Sequence, residues 1–239
     1  MAAGTIRRCA GSAPKVKKAA SVSRRAAANR VLSSARAPKR KLSRDAEQAL
    51  TPRQLEILDA LEDWVLRGGV ADVTIATIAK RMGCSLRTLY GIAPSKDELV
   101  LIVLDRRLHR IGRDAATALE AKGTPLARLR AYLRATNLAV QPTTAAFARD
   151  FAGVPGARQL NDAHTDYIVA ITRNLLNQSI AEGEIDKINV PAVAHVLGRL
   201  GNEFALETAT DMVSGSAEAT ANGIADLILH GLEAGTSPD

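Results

Sequence analysis

From Thr51 onward the chain alternates between stretches whose apolar residues recur three and four positions apart and short breaks rich in Gly, Pro, Thr and Asn. That period belongs to amphipathic helices rather than strands. Thr51-Pro52-Arg53-Gln54 supplies a Thr cap, a Pro for the first helical position and a Gln three residues after the Thr, so a helix starts there. Its buried stripe is Ile57, Ala60, Leu61, Trp64 and Val65, and Gly68-Gly69 ends it. Thr74 caps a second, short helix with Ile75, Ile78, Ala79 and Met82 inward, broken at Gly83. Ser85 caps a third through Tyr90, and Gly91 stops it. A longer helix followed by two short ones around a glycine turn is the pattern of a helix-turn-helix.

Ser95-Lys96-Asp97-Glu98 is a further capping box. It launches a long helix with Leu99, Ile102, Val103, Leu108 and Ile111 on its apolar face, expected to join the reader to the rest. Beyond it the pattern predicts helices over 125–140, 143–152, 160–182, 190–210 and 216–232, separated at Gly123-Thr124-Pro125, Gln141-Pro142, Gly153-Val154-Pro155-Gly156 and 184–189. The expected fold is all-α. A three-helix helix-turn-helix domain (51–97) precedes a larger C-terminal helical ligand-binding and dimerisation domain (98–239).

Charge changes the picture only when it is divided along the chain. The formal net charge is +7, but residues 1–50 hold thirteen Lys/Arg against Asp45 and Glu47, whereas 51–100 carry −1 and 101–239 carry −3. The first segment has Arg7, Arg8, Lys15, Lys17, Lys18, Arg24, Arg25, Arg30, Arg36 and the run Pro38-Lys39-Arg40-Lys41, with few large apolar side chains between. It is expected to be a disordered basic arm over 1–50 whose Lys39, Arg40 and Lys41 neutralise DNA phosphates, the other reading being a solvated tail. A transient helix over 23–37 is compatible with its alanines.

The run Val73-Thr74-Ile75-Ala76-Thr77-Ile78-Ala79-Lys80-Arg81-Met82-Gly83-Cys84-Ser85-Leu86-Arg87-Thr88-Leu89-Tyr90, followed by Pro94-Ser95-Lys96-Asp97-Glu98-Leu99, resembles the TetR family of repressors. The likeness extends from Ile57 to Leu99. It rests on the Ile-Ala pair, the Gly turn, Thr-Leu-Tyr and Ser-Lys-x-x-Leu at the family's spacing. The resemblance implies that Ser85–Tyr90 is a recognition helix in the major groove. It further implies that Thr74, Thr88, Tyr90 and Lys96 touch phosphates or nearby bases, and that Ile78 and Leu89 belong to the core. The residue types agree. Arg87 can pair with guanine O6 and N7, and Leu86 can meet a thymine methyl. Lys96 stands at a helix N-terminus, where free N–H groups favour a phosphate. The chain departs from the family at Gly91-Ile92-Ala93, where aromatic or histidine residues are common, and in the length of its basic arm.

Proteins of this type place an effector cavity among their C-terminal helices. Leu104, Leu108, Tyr132, Phe147, Phe151, Tyr167 and Ile171 are the large side chains that would line it, with plain core packing the competing reading. Few aromatics, 3% of residues, favour a small apolar effector over a large stacked one. Ala194, Gly198 and Gly201 in one of the last two helices, and Ala217, Ala221 and Ala225 in the other, would let axes approach closely. They suit either a homodimer through those helices or internal packing.

Other functions find little support. His109, His164, His195 and His230 are dispersed, and Asp162, His164 and Asp166 lie two apart, pointing away from one another on a helix. There is no G-x-S-x-G, phosphate-binding glycine loop or H-E-x-x-H, so neither catalysis, nor a metal, nor any cofactor is implied. Cys9 and Cys84 have no paired spacing and are expected to be free thiols. No run long enough to span a bilayer and no secretory leader is recognisable, which predicts a cytoplasmic protein with operator DNA as its main partner. A DNA-binding protein with no effector, using its arm for broad binding, is the alternative.

Overall fold

The computed structural model describes residues 24–68, 73–138, 145–205 and 215–235. Eleven α-helices lie among them, with no strand: α1 (24–33), α2 (Arg44–Gln48), α3 (Pro52–Gly68), α4 (Ile75–Arg81), α5 (Leu86–Tyr90), α6 (Lys96–Ala118), α7 (Pro125–Asn137), α8 (Ala145–Ala152), α9 (Ala157–Ala181), α10 (Val190–Ala205) and α11 (Ala217–Ala234).

Local chemistry accounts for most of the boundaries. Thr51 Oγ1 accepts the Gln54 N–H while Gln54 Oε1 accepts that of Thr51, a reciprocal box at the head of α3. The hydroxyls of Thr74, Ser85, Ser95, Thr124 and Ser216 likewise cap α4, α5, α6, α7 and α11. Helix α9 starts three residues earlier than the sequence suggests. Gly156, at φ +87°, reaches a left-handed conformation and turns the chain directly into it. The expected ends of α7 at 140 and α10 at 210, and the expected start of α8 at 143, fall outside the described residues.

Two apolar clusters form the interior. The first joins Ile57, Leu58, Leu61 and Val65 of α3, Ile78 of α4 and Leu89 of α5 to Leu99–Leu104 of α6, Phe147 of α8 and Leu160 of α9. The second gathers Ala115 of α6, Leu126, Leu129, Tyr132 and Leu133 of α7, Ile171, Leu175 and Leu176 of α9, Leu197 of α10 and Leu229 of α11. Helix α6 contributes to both, so the reader's core runs across the division expected at residue 97.

The N-terminal segment departs most from expectation. Residues 24–50, read as part of a disordered arm, pack on the body. Ala28 and Val31 of α1 are buried in the second cluster, with Leu32 and Ala35 against it. The Tyr167 hydroxyl of α9 donates to the Leu32 carbonyl, and Asn174 Nδ2 donates to Ser34 Oγ. A few small apolar residues spaced along an alanine-rich helix suffice when a larger core offers the matching groove, and composition alone hides that. Residues 1–23 of the arm lie outside the described residues.

The small residues of the last helices also have a clear use. A Cβ on Gly198 would stand 2.7 Å from Val169 Cγ2 of α9, and one on Gly201 would stand 2.6 Å from Asn137 Oδ1 of α7. Ala194, Ala221 and Ala225 are buried in the same cluster. Close approach here serves packing within the chain, so these residues do not argue for a dimer.

Candidate DNA interface

Helices α4 and α5 pack on each other around Gly83, whose φ of +59° makes the turn between them. Arg53 Nη2 of α3 donates to the Met82 carbonyl at 2.8 Å and holds that turn to the body. The Arg81 guanidinium lies over the Trp64 ring, 4.7 Å from its centroid. Leu89 is fully buried, and Ile92 and Ala93 sit in the same core. A Cβ at Gly91 would come within 3.1 Å of Gln54 Nε2, so the small residue lets α3 press on the end of α5. Cys84 beside the turn is a free thiol whose pKa burial raises, partly offset by Arg53.

What this frame presents is a short polar and apolar face. Leu86 and Tyr90 are among the few large apolar side chains left open, at 44% and 52% exposure. Arg87 is exposed between them, with no carboxylate paired to it among the described residues. Ser85 Oγ caps Thr88 N and shares a 2.9 Å hydrogen bond with the Thr88 hydroxyl, so both are tied into the start of α5. Thr74 does the same with Thr77. Lys96 opens α6, next to the Ser95 cap. The residues expected from the sequence to face DNA at Thr74, Ser85, Leu86, Arg87, Thr88, Tyr90 and Lys96 therefore all sit at α4, α5 or the head of α6.

The basic run behaves differently. Arg40 is paired with Glu47 at 3.0 Å, and Lys41 Nζ stands 3.6 Å from Glu98. Glu47 also receives Arg106 of α6 at 2.9 Å. Arg40 and Lys41 thus fasten the N-terminal strap to the body, while Lys39 is exposed. Nothing in the sequence spacing pairs these cations with acids 7 and 57 positions away.

The large side chains expected to enclose one effector pocket are divided between the two clusters. Leu104, Leu108, Phe147 and Phe151 belong to the first, where the two phenylalanine rings stack at 5.5 Å. Tyr132, Tyr167 and Ile171 belong to the second, and Tyr167 is partly occupied in holding α1. Burial pushes the Tyr132 phenol far above its usual range.

The histidines are not all dispersed. His109, one turn beyond Asp105 on α6, and His164 of α9 converge on Asp105, with their rings edge to face at 4.9 Å. Asp105 and His109 at i and i+4 share a helix face, a signal present in the sequence; that His164 would join them is a tertiary fact. Asp162 and Asp166 take no part, being paired with Arg158 and Arg199.

No family model matches the chain. Over 140 residues it is 28% identical to the HTH-type transcriptional repressor KstR of Mycolicibacterium smegmatis, covering 57% of this chain and 67% of that protein. Over 160 residues it is 27% identical to the HTH-type transcriptional regulator BetI of Brucella canis, covering 61% and 81%. Among solved structures it superimposes on a TetR transcription regulator from Haloarcula marismortui with a TM-score of 0.62 at 21% identity, over 75% of this chain and 97% of that one. The TetR family regulator PfmR from Thermus thermophilus gives 0.56 at 22% identity, over 74% and 98%. The structural likeness carries the fold, and the sequence relatives carry the regulatory role. With the helix-turn-helix built as above, this chain has the fold of TetR-family regulators and is similar in sequence to HTH-type DNA-binding transcriptional regulators.

Proposed function

We propose that the protein is a homodimeric, operator-specific repressor relieved by a small apolar effector. The observation that carries the reading is the face of α5, where Leu86, Arg87 and Tyr90 are open while Leu89 locks the helix to the core. In the major groove, Arg87 reads guanine by its paired N–H donors and Leu86 meets a thymine methyl. Thr74, Thr88, Tyr90 and Lys96 hold the flanking phosphates, fixing register without reading sequence. Ser85 caps α5 and so sets the angle at which Arg87 enters.

The dimer is assigned to the open side of α10 and α11. Val196 is 47% exposed and Leu227 is 74% exposed. Ala219, Gly223, Leu227 and Gly231 follow at four-residue spacing along the exposed side of α11, and a Cβ at Gly223 or Gly231 would meet nothing within 4 Å. A second copy pairing there would cover the exposed leucine and place two recognition helices for a two-fold operator. For the effector, Leu104, Leu108, Phe147 and Phe151 are the larger of the two groups that share a cluster. A ligand wedged there against α6 would act by preferring one setting of that helix.

Selection of bound sequences from random duplex DNA at moderate salt tests the reading. An enriched two-fold site bound by two chains is the expected result. Binding with no enriched sequence and a steep salt dependence would replace it with broad, charge-driven DNA association.

A further inference from the structure

Asp105, His109 and His164 bring three ligand-type side chains to one point, all within 4.8 Å of one another. Asp105 Oδ1 lies 3.3 Å from His164 Nε2 and 3.5 Å from His109 Nε2. A tetrahedral ion with bonds of about 2.0–2.1 Å needs ligand atoms roughly 3.3–3.4 Å apart, so those two edges already match. The third edge, between the histidine nitrogens, also falls within the spread of the cluster.

The surroundings favour an ion over a closed hydrogen-bond network. Asp105 is buried, and its other oxygen, Oδ2, accepts the backbone N–H of Lys41 at 3.0 Å. That bond turns Oδ1 toward the imidazoles, the orienting role that outer partners play around metal ligands. His109 Nε2 is buried and makes no hydrogen bond, a cost that coordination would remove. The histidine side chains keep 15% and 12% exposure, which leaves a way in.

We propose that Asp105, His109 and His164 form a binding site for a divalent transition-metal ion of the Zn²⁺ class, completed by water. Two imidazoles and one carboxylate are the nitrogen and oxygen donors such ions prefer over Ca²⁺ or Mg²⁺, which take oxygen ligands. The ion would fasten α6 to α9 and, through the Lys41 N–H, to the N-terminal strap.

The test is titration of metal-stripped full-length protein with Co²⁺ and Zn²⁺, read by visible absorption, calorimetry and thermal midpoint; none of these readouts involves DNA. One ion per chain is expected, with a Co²⁺ spectrum of low coordination number and a midpoint that rises with free ion. His164→Asn and Asp105→Asn should weaken binding by more than the about 10–100-fold that loss of an outer partner costs. His195→Ala and His230→Ala, on exposed positions of α10 and α11, should leave it intact. Circular dichroism checks that each variant folds, and shifts of the His109 and His164 imidazole resonances in the unaltered protein report the site without any substitution. Absence of stoichiometric binding, or binding lost on His195→Ala or His230→Ala instead, would overturn the proposal.

Discussion

Arg87 and Leu89 stand two residues apart on α5 and do opposite work, one exposed and one at zero exposure in the core. The difference lets a substitution separate reading from folding. Arg87→Ala should leave the thermal midpoint unchanged and cost about 1–3 kcal/mol of discrimination at one base pair, measured as operator against single-mismatch affinities. Equal losses on operator and random DNA would remove Arg87 from the groove. Lys96→Ala should weaken both alike and lower the salt slope by about one. Gly198→Ala forces a methyl against Val169 and should cost about 1–3 kcal/mol in chemical denaturation without touching DNA contacts. The helices that carry the residues expected to face DNA were legible because capping hydroxyls, the Gly83 turn and the three-and-four spacing are local features. The partners of Arg40, Lys41 and His164 were not, because they depend on which helices meet.

At the level of elements, the capped helices α3 to α7 appear where the sequence places them; α1 falls within the 23–37 span compatible with a transient helix, and the surprise is that α1 and α2 pack on the body. Helix α1 buries only Ala28 and Val31 in full, too weak a stripe to stand out among its basic residues. Deleting residues 1–23 should leave the fold intact, whereas deleting 1–43 should lower stability by at least about 2 kcal/mol through loss of the Val31 contact alone. The shorter deletion also removes Arg7, Arg8, Lys15, Lys17 and Lys18. If those side chains meet phosphates, the salt slope falls by up to about four or five, and an unchanged slope makes them spectators. Leu227→Arg on the exposed side of α11 should yield a folded chain that sediments as a monomer. A dimer unaffected by that change would place the contact elsewhere.

Across the whole molecule, α6 joins the two apolar clusters, and its ion pairs tie it to α2 and α3. Glu62 of α3 is buried and receives both Arg107 and Arg110 of α6, while Arg106 spans Glu47 and Asp59. Glu62→Ala should therefore destabilise the chain by about 1–3 kcal/mol, seen as a lower denaturation midpoint. The division expected at residue 97 was drawn from a change of pattern along the chain, and it cuts through the first cluster because Leu99–Leu104 complete the reader's interior. The shared beam also bears on how such a regulator can change its target over generations. A recombination that transplanted residues up to 97 into another regulator would carry off half an interior, so the reader is not an interchangeable cassette. New operator preferences are more readily gained by single substitutions on the open face of α5, where Leu86, Arg87 and Tyr90 can vary while the helix remains anchored by Leu89.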